Sequence, residues 1–225
     1  MDNGYDANEF INRIGNNQKA IQAYNEMQDI MHLYSSAIKE IRTKLEILDE
    51  EFSVKYKYNP IHNIDSRLKT PMSILEKLRR KGYEISLESA KENLFDIAGI
   101  RVVCNYVDDV YRIADLLVGQ ADVTQIKRKD YIVNPKPNGY RSLHVVVKVP
   151  IFLAEETVDV PAEVQIRTIA MDMWATLEHQ LKYKTDNDVN KNLQTKLRFC
   201  ADRLNAIDNE MQEIYEEIKI ENKDK

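Results

Sequence analysis

Cysteine is scarce in this chain. Its 225 residues hold two, Cys104 and Cys200, far apart and without metal-ligand spacing. That argues against a disulfide framework and a thiolate metal site, and a reducing, cytoplasmic setting is the expectation. Cys104 ends an apolar run and reads as a small buried hydrophobe. No apolar run approaches the roughly 20 residues that span a bilayer, so no membrane partner is expected. No signal-peptide pattern is present. There is no surplus of positive charge: 37 acidic against 32 basic residues give a net charge of −5. That balance argues against a purely electrostatic nucleic-acid binder and leaves room for a local basic pocket. Internal repeats and low-complexity segments are absent too.

What is present is enough apolar residue, 43 %, for a sizeable core. An amphipathic helix is expected from about residue 18 to Val54. Tyr24, Met27, Met31, Tyr34, Ile38, Ile41, Leu45 and Leu48 recur three and four apart. Residues 1–17 are polar and expected to be loose. Asn59-Pro60 stops the helix, and Asp65–Lys69 is expected to be extended. Thr70 as N-cap and Pro71 at the first helical position open a second helix, which ends near Lys81-Gly82. Strands follow at Ile97–Cys104, Val123–Arg128, Tyr140–Val149 and Thr157–Arg167. Pro161 places the last of these at an edge or a bulge. Asp108-Asp109 caps a helix through Leu117. Met171–Tyr183 is helical. From Val189 onward a second long stripe runs through Leu197, Cys200, Leu204, Ile207, Met211, Ile214 and Ile218. The plan is α/β (α+β): a mixed sheet of about five strands flanked by helices, with long N- and C-terminal helices. One domain over 1–225 is expected, with a helical arm (1–58), a catalytic core (59–185) and a C-terminal helix (186–225). Packing within the subunit is expected for any single stripe, while two long stripes around one modest core point to some apolar surface meeting another subunit.

Four clusters carry chemistry. Arg67 and Lys69 share one side of an extended segment, and Ser73, Lys77 and Arg80 share one face of the helix opened by Pro71. With the helix N-terminus they suit a polyphosphate; they also suit a solvated basic face. Asp96 stands beside an apolar strand in Asp96-Ile97-Ala98-Gly99-Ile100-Arg101, where Mg²⁺ or an arginine would offset its burial. Arg101 can stack flat on a base. On 163–167, alternation sets Glu163, Gln165 and Arg167 on one strand face and Val164 and Ile166 on the other. Lastly, 127–144 combines Lys127, Arg128, Lys129 and Lys136 with a Pro135–Gly139 turn, Tyr140 and His144. Tyr140, Ser142 and His144 share a face by the same period. Two cationic clusters and two carboxylates fit two phosphorylated ligands with a metal between them, as in phosphoryl or pyrophosphoryl transfer.

These motifs resemble, in order, those of the (p)ppGpp synthetase family, whose fold is related to the nucleotidyltransferases: Arg-x-Lys-x-x-x-Ser at 67–73, Asp-Ile-Ala-Gly-Ile-Arg at 96–101, Lys-Asp-Tyr-Ile…Pro-Lys-Pro-Asn-Gly-Tyr-Arg-Ser-Leu-His at 129–144 and Glu-Val-Gln-Ile-Arg-Thr at 163–168. Met171-Asp172-Met173-Trp174-Ala175 with Glu178-His179 resembles the helix that follows. The likeness covers about residues 60–185. No His is followed by Asp, so the hydrolase metal motif of long members is missing, and a stand-alone small alarmone synthetase without hydrolase activity is expected.

The resemblance implies transfer of pyrophosphate from ATP to the ribose 3′-hydroxyl of GDP or GTP. It implies adenine between Arg67 and Arg101, ATP phosphates on Lys69, Ser73, Lys77 and Arg80, and Mg²⁺ on Asp96 and Glu163. It implies guanine on Tyr140, with Lys129, Lys136, His144 and Gln165 around the acceptor, and Glu163 helping to deprotonate the hydroxyl. Assembly as a homotetramer is also implied, and RNA binding is not expected. The competing readings are transfer to the tRNA 3′ end, as in toxic relatives, and a non-catalytic nucleotide-sensing oligomer.

Overall fold

Helix α1 (Gln18–Tyr56) forms because its apolar residues recur on one stripe, and that stripe is what it buries. Tyr34, Ile38, Ile41 and Leu45 are almost fully enclosed. The computed structural model describes residues 18–184 and 191–221; the expectation for 1–17 and the ends of the expected C-terminal helix lie outside them. The remaining elements are β1 (Ile61–Leu68), α2 (Pro71–Lys81), α3 (Leu87–Asn93), β2 (Ala98–Cys104), α4 (Val107–Val118), β3 (Thr124–Asp130), β4 (Leu143–Phe152), β5 (Thr157–Thr168), α5 (Ile169–Lys184) and α6 (Lys191–Glu221).

The five strands form one sheet in the order β1-β2-β5-β4-β3. Only β2 and β5 run parallel; the other pairs are antiparallel. Helix α1 crosses β1, β2, β4 and β5, and α4 packs beside it. Ile100, Val102, Val145, Val147, Val164 and Ile166 join α1 and α4 in the core. One face of the sheet is therefore closed by helices. Alternation sends Arg67, Arg101, Glu163, Gln165, His144, Lys127 and Lys129 to the other face.

Helix α2 starts and stops as its sequence dictates. The Thr70 hydroxyl accepts the Ser73 N–H, Pro71 begins the helix, and Gly82 closes it at φ 71°.

Four expectations need correction. Pro161 is on a central strand. It is tolerated because β5 outruns β2 there: β2 pairs only with 163–168, while Pro161 faces Lys148 of β4. Its missing N–H costs no ladder bond on the unpaired side. Tyr140 precedes β4, because 131–142 is a folded loop rather than strand. Asp108 and Asp109 lie in the first turn of α4, whose N-cap is Tyr106. Finally, α6 does not bury its expected stripe. Leu197, Ala201, Leu204 and Asp208 face the molecule, whereas Ile207, Met211, Ile214 and Ile218 are exposed.

The loop 131–142 is pinned to α6. Arg198 donates to the Pro137 carbonyl at 3.1 Å, and Arg141 to Asp202 at 3.1 Å. Gly139 has φ 94°, and a Cβ there would lie 2.6 Å from the Ala201 Cβ. Both the left-handed backbone and the close approach demand glycine. Gly139→Ala is expected to destabilise the fold by about 1–3 kcal/mol, seen as a lower Tm and faster proteolysis near residue 137. An unchanged Tm would contradict this packing.

Candidate active site

The site lies on the open face of the sheet, where strand register lines its residues into two rows. One row runs Arg67, Gly99, Glu163, Val146, Lys127 across β1, β2, β5, β4 and β3. The next runs Asp65, Arg101, Gln165, His144, Lys129. Strand period two alone explains why Arg128 is absent: it points the other way and pairs with Asp115 of α4 at 2.5 Å.

Asp96 enters from the turn before β2. Its Oδ2 is gripped by Lys69 at 3.0 Å and by Lys77 at 2.6 Å. Lys69 follows β1 and Lys77 stands on α2, so the carboxylate ties the strand end to the helix. Burial pushes the Asp96 carboxyl up, but the two lysine hydrogen bonds outweigh it and hold the group below the usual carboxylate range. Oδ1 is buried with no hydrogen-bond partner.

Glu163 accepts from His144 Nδ1 at 3.1 Å and from Gln165 Nε2 at 2.8 Å. Burial pushes it up as well; His144 and Gln165 override that, and its carboxyl is also depressed. On its other side His144 Nε2 lies 2.9 Å from the Tyr140 hydroxyl, so the imidazole links Tyr140 to Glu163.

A depressed carboxyl contributes to stability fully above the unfolded pKa of about 4 and loses that contribution as pH falls through the folded value. The acid limb of stability should therefore lie below about pH 4. Asp96→Asn is expected to flatten it in a series of Tm against pH; an unaltered limb would show that Asp96 is not held ionised by its lysines.

Two cavities meet at these carboxylates. The first, about 260 Å³, is lined by Arg67, Lys69, Gly99, Arg101, Gln165 and Arg167 among others, together with Asp96 and Glu163. The second, about 560 Å³, is lined by Lys77, Lys81, Lys127, Lys129, Lys136 and His144 among others, again with Asp96 and Glu163. Five lysines around one cavity can receive a multivalent anion, whose charge convergent ammonium groups offset.

The sequence-predicted residues divide accordingly. Arg67, Lys69 and Arg101 reach the first cavity. Lys129, Lys136 and His144 reach the second. Lys77, grouped above with the ATP phosphates, lines the second cavity, and Gln165, grouped with the acceptor, lines the first. Ser73, Arg80 and Tyr140 line neither: Ser73 is engaged in the helix cap with Thr70 at 3.0 Å, Arg80 is exposed, and Tyr140 stands behind His144, its hydroxyl 2.9 Å from Nε2. The Tyr140 ring has the Lys136 ammonium 4.5 Å from its centroid, so a base stacking on that face must displace Lys136. Lys136 also lies 4.7 Å from the Tyr131 ring.

Sequence reasoning missed Asp65, Tyr83 and Tyr131 at these walls. Asp65 was detectable, being two residues before Arg67 on an extended segment. Tyr83 carried no signal; it arrives because the chain leaves α2 over the cavity.

Among the described residues, no group of three or more His, Cys, Asp or Glu forms a protein-only metal cage. The orphaned Asp96 Oδ1 and the free lone pairs of Glu163 do fit a hard cation that takes its other ligands from phosphate and water.

Residues 66–188 match the family model described as a region found in RelA / SpoT proteins. The chain is 42% identical to GTP pyrophosphokinase YwaC of Bacillus subtilis, over 83% of this chain and 89% of that protein. The crystal structure of small alarmone synthetase 2 from Bacillus subtilis superposes with a TM-score of 0.78 at 40% identity, covering 85% of this chain and 99% of that one. Small alarmone synthetase 1 from the same organism, bound to its product pppGpp, gives 0.78 at 34% identity, covering 86% and 98%.

Proposed function

This chain belongs to the RelA/SpoT family, and we propose that it is a GTP pyrophosphokinase that makes (p)ppGpp by moving pyrophosphate from ATP to the ribose 3′-hydroxyl of GDP or GTP. The observation that carries the reading is the pair of cationic cavities that share Asp96 and Glu163 as a common wall. A reaction that joins two nucleotides needs their reacting atoms to meet, and the two carboxylates mark where.

ATP takes the first cavity, with its base at Arg67 and Arg101 and its phosphates at Lys69. GDP or GTP takes the second, with phosphates among Lys127, Lys129 and Lys136 and the base toward Tyr140. Lys77 stands where the two phosphate chains approach. Glu163 accepts the proton of the 3′-hydroxyl. The freed oxygen forms a bond to the β-phosphorus of ATP, and the bond from that phosphorus to the bridging α,β-oxygen breaks. AMP leaves with the bridging oxygen and its electron pair. Mg²⁺ held by Asp96 and Glu163 would neutralise phosphate charge. His144 and Gln165 fix the orientation of Glu163. Lys69 and Lys77 offset the charge gathered at the β-phosphate. Catalysis of this kind is mostly positioning and electrostatics.

Among the described residues no helix is long and apolar enough to cross a membrane; a cytoplasmic enzyme is the reading we adopt. The exposed Met173, Leu177 and Leu181 of α5 and Ile207, Met211, Ile214 and Ile218 of α6 support assembly as a homotetramer, since contiguous apolar surface of this kind marks interfaces.

The experiment is anion-exchange analysis of purified protein with ATP and Mg²⁺, offered GDP, GTP or tRNA in turn. AMP appearing together with ppGpp or pppGpp is the expected result. Pyrophosphorylation of tRNA alone would overturn the reading.

A further inference from the structure

Arg167, which lines the first cavity, and its partner Asp172 have no part in the reaction above. Arg167 is 4% exposed and shares the sheet face of Glu163 and Gln165. Asp172 sits in the first turn of α5. Arg167 Nη2 pairs with Asp172 Oδ1 at 2.9 Å. The same Asp172 oxygen faces Arg101 Nε at 3.7 Å. On its other side Arg101 Nη2 meets Asp65 Oδ2 at 2.8 Å. Arg101 is therefore bracketed by a carboxylate from β1 and another from α5.

That bracket has a consequence for stacking. Carboxylates engage a guanidinium along its N–H edge, in the plane of the group. Edge contacts leave the flat faces free, and a flat face is what stacks on a base. Arg101 Nε is also buried and without a hydrogen bond. At 3.7 Å from Asp172 Oδ1 it stands about 0.5–1 Å beyond normal hydrogen-bond distance. A small turn of the Arg101 plane closes that gap, and a ligand resting on the plane can supply the turn. Arg167 holds Asp172 from behind, so the carboxylate cannot swing away from Arg101 without leaving a buried cation unpaired.

We infer that Asp172, anchored by Arg167, is a positioning residue that sets the plane of Arg101 as the base platform for the donor nucleotide. The inference rests on the assignment of the first cavity to ATP. Asp172→Asn is expected to raise KM for ATP about tenfold with kcat within about threefold, while KM for GDP is unchanged, because the lost interaction orients bound donor and does not touch the reacting atoms.

The test is a double-mutant cycle on the full-length protein. Binding of the non-reacting analogue α,β-methylene-ATP is measured by calorimetry for wild type, Arg101→Ala, Asp172→Asn and the double variant. The expected result is that Asp172→Asn weakens binding about tenfold in the wild type and has no effect once Arg101 is gone. Asp172 also complements the α5 dipole. A purely structural role there would act equally in both backgrounds and overturn the inference. Weakened binding in Arg101→Ala with a silent Asp172→Asn would also overturn it, while leaving the ATP assignment standing. Unchanged binding in Arg101→Ala would overturn both. Should Asp172→Asn fail to fold, Asp172→Glu, which keeps the charge and moves it by one methylene, is carried through the same cycle with the same criteria.

Discussion

Glu163→Gln is expected to leave the protein folded and to cut alarmone synthesis by about 10²–10⁴-fold. The substitution keeps shape and removes charge. Glu163 is the point where both cavities, the His144 imidazole and the Gln165 amide converge. An amide cannot take the 3′-hydroxyl proton. It also offers one acceptor oxygen to two donors, since His144 Nδ1 and Gln165 Nε2 each occupy a different carboxylate oxygen. One of these two hydrogen bonds is lost, at about 1 kcal/mol, so the Tm should move by a few degrees at most. Nucleotide affinities should change far less than kcat, because the phosphate-facing lysines are untouched. Rates of AMP and ppGpp formation, followed by anion exchange beside a thermal melt, check this. A variant that keeps more than about a tenth of the wild-type rate would remove Glu163 from the chemistry.

Asp96→Asn should be the more complex loss. Both Lys69 and Lys77 use the same Asp96 oxygen. Without that charge two ammonium groups stay close together with no counter-ion between them, and like charges held at such range repel. Part of the effect is therefore structural: the end of β1 and helix α2 lose their tie. The larger part is chemical. If Asp96 holds Mg²⁺, the variant needs about tenfold or more Mg²⁺ for half-maximal rate, and its maximal rate falls by about 10³-fold. Chelation of the wild type with EDTA should stop synthesis, and added Mg²⁺ should restore it. A magnesium titration of both proteins at fixed ATP and GDP separates the two parts. The structural part lowers the rate at every Mg²⁺ concentration; the metal part shifts the midpoint. An unshifted midpoint in Asp96→Asn would remove Asp96 from the metal site.

Helix α2 shows what local sequence can settle. Thr70, Pro71 and Gly82 each impose a local backbone demand, and the structure meets all three. The α1 stripe was legible for the same reason, since a 3.6-residue period survives any tertiary arrangement. Helix α3 was missed because seven residues show no such period; it buries only Ser89 and Ala90 and is held by the Ser86 cap. The C-terminal stripe was legible as helix and misleading as core. The apolar residues of its later turns are turned to solvent, and beside Ala201 it buries a polar residue, Asp208, which accepts from the Thr168 hydroxyl at 2.6 Å. Periodicity identifies a helix and its faces; it does not say which face meets the rest of the chain.

The sequence by itself determined the residue types at the site and, in four ordered motifs, the family. It also determined which residues of each strand share a face, because that follows from the two-residue pleat. Which residues meet was decided only by the tertiary structure. Asp65 and Arg101 are 36 positions apart in the chain and lie side by side, as do His144 and Gln165, 21 apart. Their meeting depends on strand order and on register between β1, β2, β5 and β4, set by burial of the opposite face against α1 and α4. A one-residue slip would send every one of these side chains into the core. The wall shared by the two cavities is a product of that register, and no local pattern in the chain encodes it.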